Sequence, residues 1–439
     1  MQSPTQFLSS HGFDLAAIAP EALLRLFDAA MTRGLDGCTE NALPMLPAFL
    51  TTGRRVPADT PVAVLDAGGT NLRAATVRFD ADRRPHIEDF VRTQIPGAQS
   101  EVTVDEFYDA LADLLTPHAA KAKSIGFCFS YPAETTPDCD ARLICWTKQI
   151  RAPAVVGTLA GANLRQRLAR RGCDRPVVVL NDTVAAVLSG AATNSRHASH
   201  VGFILGTGSN TAYVERIANI RKLRNPRLKL TDTMVVNVES GSFSLAPRSR
   251  FDERFDATLP DCGAYAFEKM IGGAYLGRLG HAILQEAARA GLFSPAAATA
   301  LLAMPAPDNK DLDLFCHNPQ QPPTTFAALP LANADRCVIV ELCTPVYSRA
   351  ALFAAVNIAA AVIRTGAGHD PQHPVGVNID GSTYYRTRTI PFAARVQEHL
   401  RRLLDPRDIH WEPLAIAESP ILGAAVAGLT GPTTGKAAG

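Results

Sequence analysis

Three short segments hold most of the chemistry that this sequence could perform. In Asp66-Ala67-Gly68-Gly69-Thr70-Asn71-Leu72-Arg73, two glycines allow a tight turn and a close approach to phosphate. The Thr70 hydroxyl and the peptide N–H groups would donate to its oxygens. Asp66 closes an apolar run and is placed to hold a hydrated Mg²⁺. The same grammar returns at Gly206-Thr207-Gly208, and a pair of such turns suits the two ends of a triphosphate. The third segment, Leu180-Asn181-Asp182-Thr183, puts a carboxylate where a strand runs into a helix. There it could accept a proton from a substrate hydroxyl, or merely cap the helix.

Further polar residues fit a polyhydroxylated substrate. Ser130 and Tyr131 follow the run Ser124–Phe129, and Trp146-Thr147-Lys148 adds a hydroxyl and one cation suited to a transferring phosphoryl group. Asn210, Glu239 and Glu268 carry acceptors with several lone pairs for hydroxyl donors. Each has an ordinary alternative as a hairpin turn, a cap or a solvated charge.

These residues need a scaffold of strands that end in loops. Val62–Asp66 and Leu72–Phe79 read as two strands around the first glycine turn, and Val201–Leu205 and Thr211–Val214 as two around the second. Two such units suggest a duplicated fold. Strands Ser124–Phe129, Val177–Leu180 and Val375–Ile379 alternate with helical patterns at Val155–Arg170, from Val184 and from Phe392, which predicts an α/β architecture. A first helix is expected from Pro20 to Gly34, a loop over Gly37–Pro61, and a frayed tail after Gly428.

The 439 residues, 47% hydrophobic and 19% charged, can fill two to three cores and exclude a disordered chain. With 43 basic and 42 acidic residues the net charge is +1, which argues against a nucleic-acid partner. Nine cysteines without a CxxC read as reduced thiols, and the N-terminus lacks a secretory pattern, so a cytoplasmic location is expected. The most apolar stretch, Ala350–Ile363, is too short to span a bilayer and is bounded or broken by Arg349, Asn357 and Arg364. It reads as a buried helix, with no membrane partner. No oligomeric state can be read from the sequence.

Taken in order, the segments LDAGGTNLR, IGFCFSYP, WTK, VLNDTVAAVLSGA, GFILGTGSNTAYVE, NVESGSF, FEKMIGGAYLG and VGVNIDGSTY resemble the eukaryotic-type hexokinases, including glucokinase. The resemblance implies an α/β, two-lobe actin-like ATPase (ribonuclease H-like) fold with a central cleft. It implies a small lobe over 62–200, joined by a helix at 418–430, and a large lobe over 1–61 and 201–417. The implied reaction moves the γ-phosphoryl group of ATP to the 6-hydroxyl of glucose or a related hexose, with lobe closure excluding water. Asp182 is the implied base, and Lys148 lies near the transferred group. Sugar contacts are implied for Ser130, Tyr131, Thr147, Lys148, Asn181, Asp182, Asn210, Glu239 and Glu268. ATP contacts are implied for Asp66, Gly68, Gly69, Thr70, Asn71, Arg73, Gly206, Thr207, Gly208, Gly381 and Ser382. Mg²⁺ is implied to be held largely through ATP oxygens and water, with Asp66 an indirect ligand.

The sequence departs from the family pattern at Ser240 and Ser242, where a Trp and an Ala generally follow the sugar-binding Glu. It departs again before Asp380-Gly381-Ser382 and at SPILGAAVAG. Competing readings are a non-catalytic sugar sensor on the same fold and a bacterial-type sugar kinase. The second often carries a zinc site, for which this chain has no clustered Cys/His set.

Overall fold

The computed structural model describes residues 2–69, 71–146, 150–193, 196–226 and 228–431. Its strands, in chain order, are β1 (Leu46–Pro47), β2 (Val62–Gly68), β3 (Asn71–Phe79), β4 (Pro85–Gln94), β5 (Ile125–Phe129), β6 (Ala133–Thr135) and β7 (Ala141–Leu143). They continue with β8 (Val177–Leu180), β9 (Ser199–Leu205), β10 (Ser209–Arg216), β11 (Thr233–Asn237), β12 (Val375–Asp380) and β13 (Trp411–Leu414). One sheet runs β4-β3-β2-β5-β8 and the other β1-β11-β10-β9-β12-β13, with β6 and β7 forming a small hairpin. In the first sheet β2, β3 and β4 pair antiparallel, while β5 and β8 join parallel. In the second β9, β10 and β11 pair antiparallel, while β12 and β13 join parallel. The pattern is repeated, and the two glycine turns fall at the same place in each copy.

Both faces of β2 are buried, which is why the strand is apolar but for Asp66. Ala63, Leu65 and Ala67 enter a core shared with helices Val104–Ala119 and Ala160–Arg170. Val62 and Val64 enter the other, larger core. A strand buried on both faces loses the polar alternation of a half-exposed one. The edge strand β4 is mostly exposed and charged, and it has no counterpart among the sequence expectations.

Helix Asp182–Thr193 lies where the two sheets meet. Its backbone is approached closely from both sides. A Cβ on Gly202 of β9 would lie 2.5 Å from the Thr183 carbonyl oxygen, and one on Gly423 only 2.0 Å from that of Ala185. Gly423 belongs to the last helix, Ser419–Thr430, which also lies against β5 through Gly126. Inside this junction Ser189 Oγ is 2.8 Å from Ser419 Oγ, and Asn378 Nδ2 of β12 donates to both, at 3.0 and 2.9 Å. At the far end Arg54 donates to the Thr430 carbonyl at 2.6 Å.

Three expectations change. Helix Pro20–Asp36 does not stop at Gly34, whose missing side chain admits the Leu43 carbonyl. It stops at Gly37, in the left-handed region at φ +88°. The helix read from Ala350 is 32 residues long, Asn333–Arg364, and passes through Pro345. By length and composition it could therefore cross a membrane, against the expectation. Its apolar window is instead 89% buried in the protein, and Arg349 pairs there with Asp252 at 2.6 Å. The last helix also continues past Gly428 to Thr430, and residues 432–439 lie outside the described residues. All nine cysteines are free thiols.

The grip on helix Asp182–Thr193 leaves no room for a side chain at position 423. Gly423→Val is expected to cost about 1–3 kcal/mol in urea unfolding, the usual range for an overpacked core. An unchanged urea midpoint would show that the contact is not tight.

Candidate active site

Asp182 is the first residue of its helix, and the cap falls to its neighbour. Asn181 Oδ1 accepts the Thr183 N–H at 2.9 Å and also the Thr183 hydroxyl. Asp182 Oδ1 accepts the same N–H at 2.8 Å. Capping the helix therefore does not depend on Asp182. Its charge reaches into both halves of the cleft. It helps raise the pKa of Asp66, at the end of one sheet, and of Glu239, beyond the end of the other.

Asp66 is buried, and burial is the main cause of its raised pKa. Arg73, directly across the β2–β3 ladder, opposes it with a 2.6 Å hydrogen bond from Nε to Oδ2. The same guanidinium donates to Glu418 at 2.8 Å, so Arg73 is engaged by two carboxylates. The other oxygen, Asp66 Oδ1, is buried without a hydrogen-bond partner. A Cβ on Gly68 would sit 3.6 Å from Oδ1 and 3.7 Å from Ser130 Oγ, so these groups border the glycine turn. Gly69 takes φ +67° there, and Tyr131 donates its hydroxyl to the Gly69 carbonyl at 2.5 Å. Tyr131 packs edge-on against Trp146, with ring centroids 4.7 Å apart, so it buttresses the turn. Asn71 Oδ1 accepts from Arg92 at 3.0 and 3.1 Å. Thr70, Thr147 and Lys148 lie outside the described residues.

Across the cleft, Glu239 is held by one oxygen. Asn237 and Asn210 donate their side-chain amides to Oε1, at 2.7 and 3.2 Å. Asn210 also donates to Asn237 Oδ1 at 2.9 Å, and its own Oδ1 accepts the Thr211 and Ser240 N–H groups. Glu239 sits in the left-handed region at φ +55°. Burial raises its pKa most, with the Asp182 charge adding to it and the two amides opposing. Tyr131, Asn181, Asn237 and Glu239 line one small cavity, which brings residues of the two sheets together.

The second turn is tied to both ends of the cleft. Glu268 Oε2 accepts the Ser209 N–H at 2.7 Å, and a Cβ on Gly208 would lie 2.4 Å from it, so a side chain there would displace the carboxylate. The Gly206 carbonyl accepts the Gly273 N–H and the Thr383 hydroxyl, each at 2.8 Å, and the Thr207 carbonyl accepts the Ala274 N–H at 2.9 Å. Gly381, at φ +121°, packs on Leu205 and Gly206, and Ser382 opens the next short helix. Asn237 was not singled out from the sequence, nor were Cys145 and Tyr265. Tyr265 is left-handed at φ +50°, and burial raises both its pKa and that of Cys145, with Glu239 adding to each. Cys145 and Tyr265 lie in no segment read for chemistry, and Asn237, though it opens NVESGSF, is set apart only by its place beside Glu239 and Asn210.

Two family models cover most of the chain, both described as hexokinase, one matching residues 11–192 and the other 200–430. The chain belongs to the hexokinase family. It is 31% identical to hexokinase-1 of Spinacia oleracea over 326 residues, 69% of this chain and 65% of that protein. It is 29% identical to hexokinase-1 of Schizosaccharomyces pombe, over 84% of this chain and 79% of that one. Its fold matches the hexokinase of Schistosoma mansoni complexed with glucose, with a TM-score of 0.77 and 25% identity over 97% of this chain and 99% of that one. The two-lobe actin-like hexokinase fold is therefore that of this chain.

The coupled carboxylates make a linkage prediction for this hexokinase-family protein. Raised folded pKa values for Asp66 and Glu239 mean that the folded state binds more protons than the unfolded state just above pH 4. Stability should therefore fall as pH rises through that window. Removing the shared Asp182 charge relieves this cost, so Asp182→Asn is expected to raise the urea midpoint at pH 7.5 and flatten its decline between pH 4 and pH 7.5. A lower midpoint at both pH values would contradict the coupling.

Proposed function

We propose that the protein is an ATP-dependent hexokinase, moving the γ-phosphoryl group to the 6-hydroxyl of glucose or a related hexose with Asp182 as general base. One observation supports this reading above the others. Asn181, immediately before Asp182, lines one cavity together with Tyr131, which holds the first glycine turn, and with Asn237 and Glu239 of the acceptor cluster.

Glu239 commits Oε1 to two amides, which leaves Oε2 as an acceptor for a sugar hydroxyl. Glu268 joins the acceptor side to the Gly206–Gly208 turn, so sugar and phosphate sites share a wall. The role of Asp182 is to take the hydroxyl proton as the oxygen attacks phosphorus. Phosphoryl transfer passes through a loose transition state, so alignment and charge stabilisation do most of the work.

ATP use follows from the family. We assign its phosphates to the turns at Gly68–Gly69 and Gly206–Gly208, and its adenosine end to Gly381 and Ser382. The orphaned Asp66 Oδ1 fits a hydrated Mg²⁺. Among the described residues no three His, Cys, Asp or Glu side chains cluster as a metal cage, so Asp66 would reach the ion through water. When bound, Mg²⁺ would neutralise phosphate charge. Arg73 keeps Asp66 oriented, and its pairing with Glu418 ties the turn to the last helix. The lobes, 62–200 with 418–430 and 1–61 with 201–417, are proposed to close on the sugar, because water competes as a nucleophile.

A coupled assay of ADP release with glucose, mannose, fructose and glucosamine tests the reading. ADP release should depend on a hexose, and Asp182→Asn should lower kcat by about 10²–10⁴ with the fold retained. ADP release independent of every hexose, or near-normal turnover in Asp182→Asn, would overturn it.

A further inference from the structure

Ser240 follows Glu239 where the family generally has a Trp, and the room is taken differently here. Ser240, Thr211 and Asn357 are all fully buried. Asn357 lies within the central helix, Asn333–Arg364, far in sequence from the other two. Its Nδ2 donates to Ser240 Oγ at 3.0 Å, and its Oδ1 accepts from Thr211 Oγ1 at 2.8 Å. Thr211 Oγ1 and Ser240 Oγ lie 3.2 Å apart, which closes a triangle. A large apolar side chain could fill such a space without prescribing a direction. Three hydrogen-bonded groups prescribe one, because each buried polar atom is costly unless its partner stays in place.

The triangle meets the cleft at two backbone points. Thr211 follows Asn210 and Ser240 follows Glu239, and Asn210 Oδ1 accepts the N–H of both, at 2.7 and 3.3 Å. Glu239 is held in the left-handed region at φ +55°. Strain of that kind persists only where the surroundings over-determine it. We propose that Asn357 is a positioning residue for hexose recognition: through Ser240 and Thr211 it fixes the strained Glu239 turn, and so the direction in which Oε2 meets the sugar. It touches neither ATP nor the reacting atoms in this account. The inference rests on the hexokinase reading and adds a specificity element to that site.

The test replaces the whole triangle. In Thr211→Val/Ser240→Ala/Asn357→Leu every polar partner leaves together, which can be nearly neutral for folding, whereas Asn357→Leu alone leaves two buried hydroxyls with only each other as partner and should unfold more easily. The triple variant is expected to raise the hexose KM about tenfold or more, while kcat and the ATP KM stay within about threefold. A general loss of stability would not produce that split. Should the triple variant fail to fold, Thr211→Val is read instead. Its hexose KM should rise at least about threefold, and Thr211→Ser, which keeps the hydroxyl, should restore it. A wild-type hexose KM in whichever variant is read overturns the positioning role alone. Absence of hexose-dependent turnover in the wild-type protein overturns the hexokinase reading with it.

Discussion

The helix that begins at Asp182 is held by backbone contact on two sides, and the active site depends on that grip. Gly202 presses on the Thr183 carbonyl from the β9 side, and Gly423 presses on that of Ala185 from the last helix. Such contacts are short and incompressible, so the helix start has little freedom to shift. Asn378, Ser189 and Ser419 add a directional lock between β12 and the two helices. The last helix matters for chemistry for the same reason. Its first contact, Glu418, reaches Arg73, and Arg73 orients Asp66.

Fixing Asp182 there has an electrostatic cost that suits its task. Asp66 and Glu239 are desolvated and feel the Asp182 charge, so both ionise less readily than free carboxyls. An uncharged polyol is a fitting occupant, since its hydroxyls donate to the acceptors without adding charge. The net charge of +1 is in keeping with this, because the proposed recognition would rest on local acceptors and turns rather than on a basic surface. Stability is given up at the point where the proposed reaction would need a base, a familiar trade between function and folding.

Much of the scaffold was legible in the sequence. β2, β5, β8, β9 and β12 are largely buried, and each shows as a short, mainly apolar run. The first glycine turn was legible because Gly69 takes a φ of +67° that few other residues adopt. β4 was not, because an exposed edge strand needs no apolar pattern. The first half of the central helix was missed because its charged positions interrupt the apolar run read from Ala350. Tyr265 had no local signal, whereas Asn237 opened the NVESGSF segment and Asn357 broke an apolar run, and neither pattern said what its amide would hold. Asn357 meets Thr211 across 146 positions of sequence, and only the packed fold brings them together.

The account turns on Asp182 receiving a sugar hydroxyl at the junction of the two sheets. A crystal structure of the hexose complex tests this most directly. The account predicts the primary hydroxyl of the sugar within about 2.6–3.2 Å of the Asp182 carboxylate, with Glu239 Oε2 accepting from another hydroxyl. A hexose bound with Asp182 out of hydrogen-bond reach of any of its hydroxyls would contradict it.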